Sequence, residues 1–298
     1  MDKDGIKILS KPDWIRSRVL WSGAVDNIHD LLHDLELKTV CVEANCPNKC
    51  ECWNGRHVTF IILGSVCTRG CSFCGVSKDN HPEKPDILEP KRIAKAVKKM
   101  KLEYAVITSV TRDDLPDKGT RQFVTTVAEI RSVSQNIAIE LLVPDLNAEY
   151  RLLEAIAFSG AQVIGHNIEM PEKLYKEIRP RSDYRRSLKV LEILNGIRDS
   201  KKMDISVKSS MMLGLGEDEK DILGTLIDLK NTGVDTVYLG QYLAPTKHHW
   251  PVKKYYRPDE FKYFEQKARE IGFETVCAGP LVRSSYRRGT SKSQKFKV

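Results

Sequence analysis

From residue 58 onward, short apolar runs alternate with longer stretches in which apolar residues recur every three or four positions. The short runs, 58–63, 104–108, 137–143, 162–166, 205–212 and 236–239, have strand length and are rich in Val, Ile and Leu. Near-continuous apolar strands of this kind fit a sheet covered on both faces. Between them, amphipathic spacing predicts helices over 89–100, 120–134, 148–158, 184–199, 218–232 and 258–271. Six β-then-α units in succession argue for parallel strands with right-handed crossovers. Six is fewer than the eight of a closed barrel, so the expected fold class is α/β, a TIM-type barrel or part of one.

Ahead of the alternation, residues 1–55 read as an arm with apolar anchors at Trp14, Val19, Leu20 and Trp21. Within it, residues 26–37 place Ile28, Leu31, Leu32 and Leu35 on one helical face. The expected organisation is an N-terminal extension over 1–55, a barrel over 56–272 and a C-terminal extension over 273–298. The last twelve residues, RRGTSKSQKFKV, are basic and poor in apolar side chains, as expected of a mobile tail.

Composition is ordinary for a soluble chain of 298 residues, with 41% hydrophobic and 30% charged positions. The opening MDKDGIKILS carries both charge signs and no run suited to a signal peptide or membrane span, so a cytoplasmic protein is expected. A net charge of +8 permits an acidic protein, nucleic acid or anionic lipid as partner and does not choose among them.

The cysteines change the picture. Seven of eight fall in the 34 residues CVEANCPNKCECWNGRHVTFIILGSVCTRGCSFC, from Cys41 to Cys74. Cys67, Cys71 and Cys74 share one short loop directly after the first barrel strand. Clustered thiols in a reducing compartment point to metal in preference to disulfides. Structural zinc and iron–sulfur sites are usually closed by a fourth ligand, so three thiolates on one loop suggest an iron left open for a small molecule. A zinc ribbon or knuckle is the alternative, although such sites favour C-x2-C pairs.

Cys67-x3-Cys71-Ser72-Phe73-Cys74 resembles the motif of the radical S-adenosylmethionine superfamily, whose fold, a partial (β/α)6 TIM-type barrel, agrees with the six units. Upstream, Cys41-x4-Cys46-x5-Cys52 resembles the second cluster motif of the lipoyl synthases within it. The likeness continues through Lys11-Pro12-Asp13-Trp14, Thr108 to Leu115 (TSVTRDDL), Val143-Pro144-Asp145 and His166-Asn167-Ile168-Glu169. It ends with Gly214-Leu215-Gly216-Glu217, Gly240 to Thr246 (GQYLAPT) and Gly279 to Tyr286 (GPLVRSSY). In the predicted fold these motifs fall at carboxyl ends of strands, where barrel enzymes carry their chemistry.

The resemblance implies a sulfurtransferase that inserts two sulfur atoms at carbons six and eight of a protein-bound N6-octanoyl-lysine. It implies a radical 4Fe-4S cluster on Cys67, Cys71 and Cys74 with S-adenosyl-L-methionine at the open iron. It further implies an auxiliary 4Fe-4S cluster, the sulfur donor, on Cys41, Cys46, Cys52 and Ser285. Phe73, Ser109, Asn167, Glu169, Arg181 and Lys208 are the candidate cofactor contacts. The implied partners are octanoylated lipoyl carriers, either the glycine-cleavage H protein or lipoyl domains of 2-oxoacid dehydrogenases, with ferredoxin or flavodoxin as electron donor. No membrane and no nucleic acid are expected. No acid–base residue is expected to carry the reaction, and His166 is expected to pack or orient.

Two positions depart from the family pattern. Cys50 adds a thiol two residues before Cys52, expected to be a bystander, and Lys118 stands where the family tends to have glycine. Cys277 is expected to be a buried thiol. Gly214-Leu215-Gly216 lacks the features of a dinucleotide or P-loop fingerprint and reads as a tight turn. His248 and His249 receive no chemistry. The rivals are a methylthiotransferase, which would need an additional RNA-binding domain, and a zinc-stabilised nucleic-acid-binding protein, which leaves the βα units unexplained.

Overall fold

The computed structural model describes residues 9–15 and 22–285. The anchors Val19, Leu20 and Trp21, Tyr286 and the basic tail lie outside them. The described chain runs α1 (Gly23–Asp34), β1 (Lys38–Thr39), α2 (Val40–Glu43), α3 (Lys49–Asn54), β2 (His57–Ile62), β3 (Val66–Cys67) and β4 (Ser77–Lys78). The alternation follows with α4 (Glu89–Met100), β5 (Tyr104–Ser109), α5 (Thr120–Val133), β6 (Ala138–Leu142), α6 (Tyr150–Ala157) and β7 (Val163–Gly165). It is completed by α7 (Glu172–Ile178), α8 (Tyr184–Lys201), β8 (Ser206–Leu213), α9 (Glu219–Asn231), β9 (Thr236–Gln241), α10 (Pro258–Ile271) and β10 (Thr275–Gly279).

One eight-stranded sheet carries the fold, in the order β1-β2-β5-β6-β7-β8-β9-β10. Every neighbouring pair is parallel except β1 with β2. Sequential order with helical crossovers is barrel winding, and the sheet ends at β1 and β10 instead of closing. The six expected βα units are present, with ends shifted by no more than two residues. Two edges extend them: β1 adds an antiparallel strand, and β10 adds a parallel one through five residue pairs, Thr275 with Thr236 to Gly279 with Gly240. Helix α1 begins three residues earlier than its periodicity suggested, because Gly23 to Val25 join the first turn.

Both sheet faces are dry. Phe60, Ile62, Ile107, Ile139, Leu141, Ile164, Val207, Val237 and Leu239 are essentially inaccessible and belong to one hydrophobic cluster. These nine share one face; the opposite face is buried as well, with Ile61, Val106 and Val163 beside Thr59, Glu140 and Lys208, and burial on both faces is why the strands read as near-continuous apolar runs. Against that background, the buried polar groups Glu140, His166, Lys208, Ser209 and Gln241 on or beside the strands stand out.

Candidate functional site

The Cys67–Cys74 loop leaves the carboxyl end of β2 and is tied down by backbone contacts to four other segments. Thr68 N donates to Thr111 O at 3.0 Å and Ser72 N to Ile178 O at 2.9 Å. Trp250 N donates to Ser72 O at 2.9 Å, and Asp79 N to Cys67 O at 3.2 Å. Arg181 Nη1 donates to Thr68 O at 2.8 Å and to Asn80 Oδ1 at 2.9 Å.

Inside the loop, Arg69 is a clamp. Its guanidinium, only 5% exposed, donates to Asp113 (Nε 2.8 Å, Nη2 2.9 Å) and to Asp145 (Nη1 2.6 Å, Nη2 2.8 Å). Bidentate pairs of this kind fix orientation as well as supply energy. Asp145 also accepts from Arg186 Nε at 2.8 Å. Burial alone would raise the Asp145 carboxyl, but the hydrogen bonds and charge of Arg69 outweigh it and hold the group well below the usual carboxylate range. The acidic residues of the Thr-Arg-Asp-Asp and Val-Pro-Asp motifs therefore anchor the cysteine loop.

The loop thiols face one another closely enough to interact electrostatically. Burial raises the Cys71 thiol, opposed by the Arg179 guanidinium beside it. Cys74 is pushed up to about 11 by burial, against a hydrogen bond from the Val76 backbone. Arg69 N donates to Cys67 Sγ at 3.3 Å. Thiols that must be deprotonated to bind metal, surrounded by N–H donors, are the donor chemistry of an iron–sulfur cluster.

Around this loop the expected cofactor contacts take different places. Phe73 is half-buried and packs on the core cluster. Ser109 ends β5 with its hydroxyl buried and unpartnered, as are Asn167 Oδ1 and His166 Nε2 just past β7. Unpartnered buried polar atoms at strand ends suit a polar ligand such as S-adenosylmethionine. Glu169, held in the left-handed region at φ +68°, accepts from Asn167 Nδ2 at 3.1 Å. Its carboxyl is raised by burial and lowered by Arg179. His166 Nδ1 lies 2.9 Å from Val143 O, and burial holds the imidazole near pKa 4, so it is neutral at physiological pH. Arg181, by contrast, braces the cysteine loop from outside. Lys208 is 5% exposed, with Nζ 2.6 Å from Glu140 Oε1 and donating to Ser284 O at 2.6 Å.

Sequence reasoning missed Arg179. Its guanidinium packs on the Tyr175 ring at 5.0 Å and donates to Tyr175 Oη at 2.9 Å, with Cys71 and Glu169 in its field. One Nε donor remains buried and unpartnered. The signal available was the Arg-Pro-Arg run after α7, a short helix that was itself not expected.

The second thiol set stands on two short helices. Cys41 lies in α2, Cys46 in the turn after it and Cys52 in α3. Burial raises Cys52, and the neighbouring Cys41 and Cys46 add to that. Burial also raises Cys41, opposed by the Thr59 backbone and the Trp53 indole. Cys50 is 8% exposed and shares the buried face of α3 with Trp53. Two residues along a helix is more than half a turn, so Cys50 points away from the side that Cys52 presents. Gly75 links the two sets: a Cβ there would meet Pro245 Cβ at 3.3 Å and Glu43 O at 3.7 Å.

The chain's other end also arrives here. Asn48 Nδ2 donates to Leu281 O at 2.6 Å, and Arg283 lies in the field of Cys46. Gly240 makes the passage possible, since a Cβ on it would sit 2.1 Å from Val282 O. Ser285, half-buried, follows two residues after Arg283. Lys118 has φ +52°, the region that favours glycine, and its Nζ donates to Asp113 O at 3.0 Å. In Gly214 to Glu217 the Glu217 carboxylate accepts the loop's own N–H groups, those of Leu215 and Gly216 at 2.9 and 3.0 Å, so this is a self-capped turn. His249 Nδ1 meets only Thr246 Oγ1 among the described contacts, at 2.9 Å, and is half-buried. Cys277, expected to be buried, is half-buried on β10.

The profile of the Radical SAM superfamily matches residues 61–229. A lipoyl synthase of Caldicellulosiruptor saccharolyticus is 44% identical over 278 residues, covering 93% of this chain and 95% of that one. One from Actinobacillus succinogenes is 45% identical over 284 residues, 94% of this chain and 87% of the relative. Among solved structures, methylornithine synthase aligns with a TM-score of 0.53 at 14% identity, covering 85% and 84% of the two chains. Streptococcus suis SuiB bound to S-adenosylmethionine aligns at 0.55 and 12% identity, over 78% and 53%. Those two show the fold alone. With a superfamily profile over more than half of its length and relatives near 45% identity along almost all of it, the chain belongs to the lipoyl synthase family of the radical S-adenosylmethionine superfamily.

Proposed function

We propose that this chain inserts two sulfur atoms into the octanoyl group of an N6-octanoyl-lysine on a lipoyl-carrier protein, at carbons six and eight. The observation that carries the reading is the meeting, at one barrel mouth, of two separate thiol trios with the Arg-Ser-Ser segment from the chain's far end. When bound, a 4Fe-4S cluster with S-adenosylmethionine supplies hydrogen-atom abstraction from unactivated carbon, and a second 4Fe-4S cluster supplies the sulfur.

Cys67, Cys71 and Cys74 would hold the first cluster, and Arg69, Asp113 and Asp145 keep their loop in place. Arg179, Glu169, Asn167 and Ser109 would orient the cofactor's polar ends, with Phe73 on its adenine side. Cys41, Cys46, Cys52 and Ser285 would hold the second cluster. A serine oxygen is a harder ligand than a thiolate and binds iron less well in such a cluster, which suits one meant to be dismantled. Close packing of Gly75 against Glu43 and Pro245 brings the first thiol loop against the segment that carries the second set and would make the two centres neighbours. His166, neutral and buried, orients instead of moving protons.

The carriers are the glycine-cleavage H protein or lipoyl domains of 2-oxoacid dehydrogenases, and the electron donor is a ferredoxin or flavodoxin in the cytoplasm. No helix among the described residues is long and apolar enough to cross a membrane. The net charge of +8 speeds encounter with an acidic carrier and makes it salt-sensitive. The test is anaerobic turnover of an octanoylated carrier with protein whose clusters were assembled from isotopically labelled sulfide. Two labelled sulfurs on the product support the reading. Cofactor cleavage with unmodified carrier, or a methylthio product, overturns it.

A further inference from the structure

A buried charged pair in the barrel lumen is used by none of the steps above. Glu140 in β6 and Lys208 in β8 are 2% and 5% exposed, and their charged atoms stand 2.6 Å apart. Glu140 Oε2 also accepts from Tyr104 Oη at 2.5 Å. The Lys208 ammonium sits 4.7 Å from the Tyr238 ring centroid in β9 and makes room for its stem against Gly165, where a Cβ would meet Lys208 Cγ at 3.3 Å. An ion pair this dry is poor evidence of stabilisation, because desolvation offsets most of its Coulomb attraction. What it does is hold an ammonium group at one point in the lumen with a donor to spare.

That donor goes to Ser284 O at 2.6 Å. Residues of β6 and β9 therefore hold the ammonium, and β7 packs on its stem, while it in turn holds the residue before Ser285. The same segment is fixed twice more upstream, by Asn48 Nδ2 on Leu281 O and by the close passage of Val282 over Gly240. Past Ser284 the bond from Lys208 is the last long-range tie among the described hydrogen bonds.

We infer that Lys208 is a positioning residue, setting the Ser284 carbonyl so that the Ser285 hydroxyl is delivered to the iron that Cys41, Cys46 and Cys52 leave open. This rests on the reading of Ser285 as that cluster's fourth ligand. Lys208 touches neither cluster. It acts through one backbone carbonyl, so its loss leaves the three thiolates in place and frees the fourth ligand.

The test uses full-length protein carrying Cys67→Ala, Cys71→Ala and Cys74→Ala, which leaves the auxiliary cluster alone, and measures iron loss to a chelator. Lys208→Met with Glu140→Gln removes the tie without stranding a buried charge. It is expected to bind the same iron and sulfide as its parent, then lose one iron per cluster at least ~10-fold faster, the usual scale for removing an outer partner. Ser285→Ala should match it, whereas Tyr104→Phe, which removes only a bond to Glu140, should match the parent. Lys208→Gln with Glu140→Gln is the second variant: its shorter side chain stops short of Ser284, with the same expectation if the first fails to fold. Iron loss at the parental rate in both paired variants, or equal acceleration in Tyr104→Phe, overturns the assignment. A parent that holds no four-iron cluster overturns the Ser285 reading beneath it instead.

Discussion

The two cysteine segments are built on opposite principles. The Cys67–Cys74 loop is local in sequence and held by charge: Arg69 is clamped by Asp113 and Asp145, and Arg179 and Arg181 brace it from the turn after α7. The Cys41–Cys52 set is held by packing, with Trp53 1% exposed beneath it, and is reached through Asn48 by a segment some 230 residues away. A loop that must bind cofactor with its iron open needs a frame that exists beforehand. A cluster that must give up sulfur is better served by ligands from separate pieces of chain.

The largest effect expected from breaking that contrast is at Trp53. Trp53→Ala should cost about 3–5 kcal/mol by leaving a cavity under α3, and should strip the auxiliary iron while the radical cluster survives. Thermal melting with iron analysis checks both, and loss of the radical cluster instead would deny the separation.

Asp145→Asn should do the converse. It leaves the Arg69 and Arg186 guanidinium groups facing a neutral amide in a buried site, at a cost of about 3 kcal/mol. The radical cluster's iron should fall and the auxiliary iron should stay, read as iron retained after gel filtration with and without Cys67→Ala, Cys71→Ala and Cys74→Ala.

His166 sharpens the picture by pH. The folded protein holds it neutral down to about pH 4, whereas the unfolded chain takes up the proton below its ordinary value near 6.5. The unfolded state therefore binds more protons in that window, and stability falls as pH drops from about 6.5 to about 4, by up to about 3 kcal/mol. Asp145, depressed below the carboxylate range, contributes only at lower pH. Urea midpoints of His166→Gln should change less across the window than those of the parent; equal slopes would show that His166 titrates normally.

The smallest effect belongs to Cys50. Cys50→Ala should leave iron and sulfide per chain unchanged, at a cost of about 1 kcal/mol for lost packing, whereas a drop in auxiliary iron would make it a ligand.

The six βα units were legible because strands buried on both faces write themselves as apolar runs and helices as a regular spacing. The cysteine motifs were legible because their spacing is the chemistry. Helix α7 was not, since seven residues between Pro171 and Arg179 are too few to show a period. Strand β10 was not, because Thr275 to Gly279 has small and half-exposed residues at its sheet edge. The clamp was hidden for another reason: Arg69 lies 44 and 76 residues from Asp113 and Asp145, and nothing in a linear pattern pairs them. Lys208, a charge inside an apolar run, reads as a candidate cofactor contact, whereas its ammonium is taken by Glu140 and the Ser284 carbonyl. Its place in that run marks it as unusual without revealing Glu140 or Ser284 as its partners.

The central claim is two separate cluster sites in one chain. Iron and acid-labile sulfide per chain after anaerobic purification test it most directly, with the Cys67→Ala/Cys71→Ala/Cys74→Ala variant measured alongside. The account predicts about eight irons in the parent and about four in the variant, as two four-iron clusters require. Zinc in place of iron, or no cluster surviving in the variant, would contradict it.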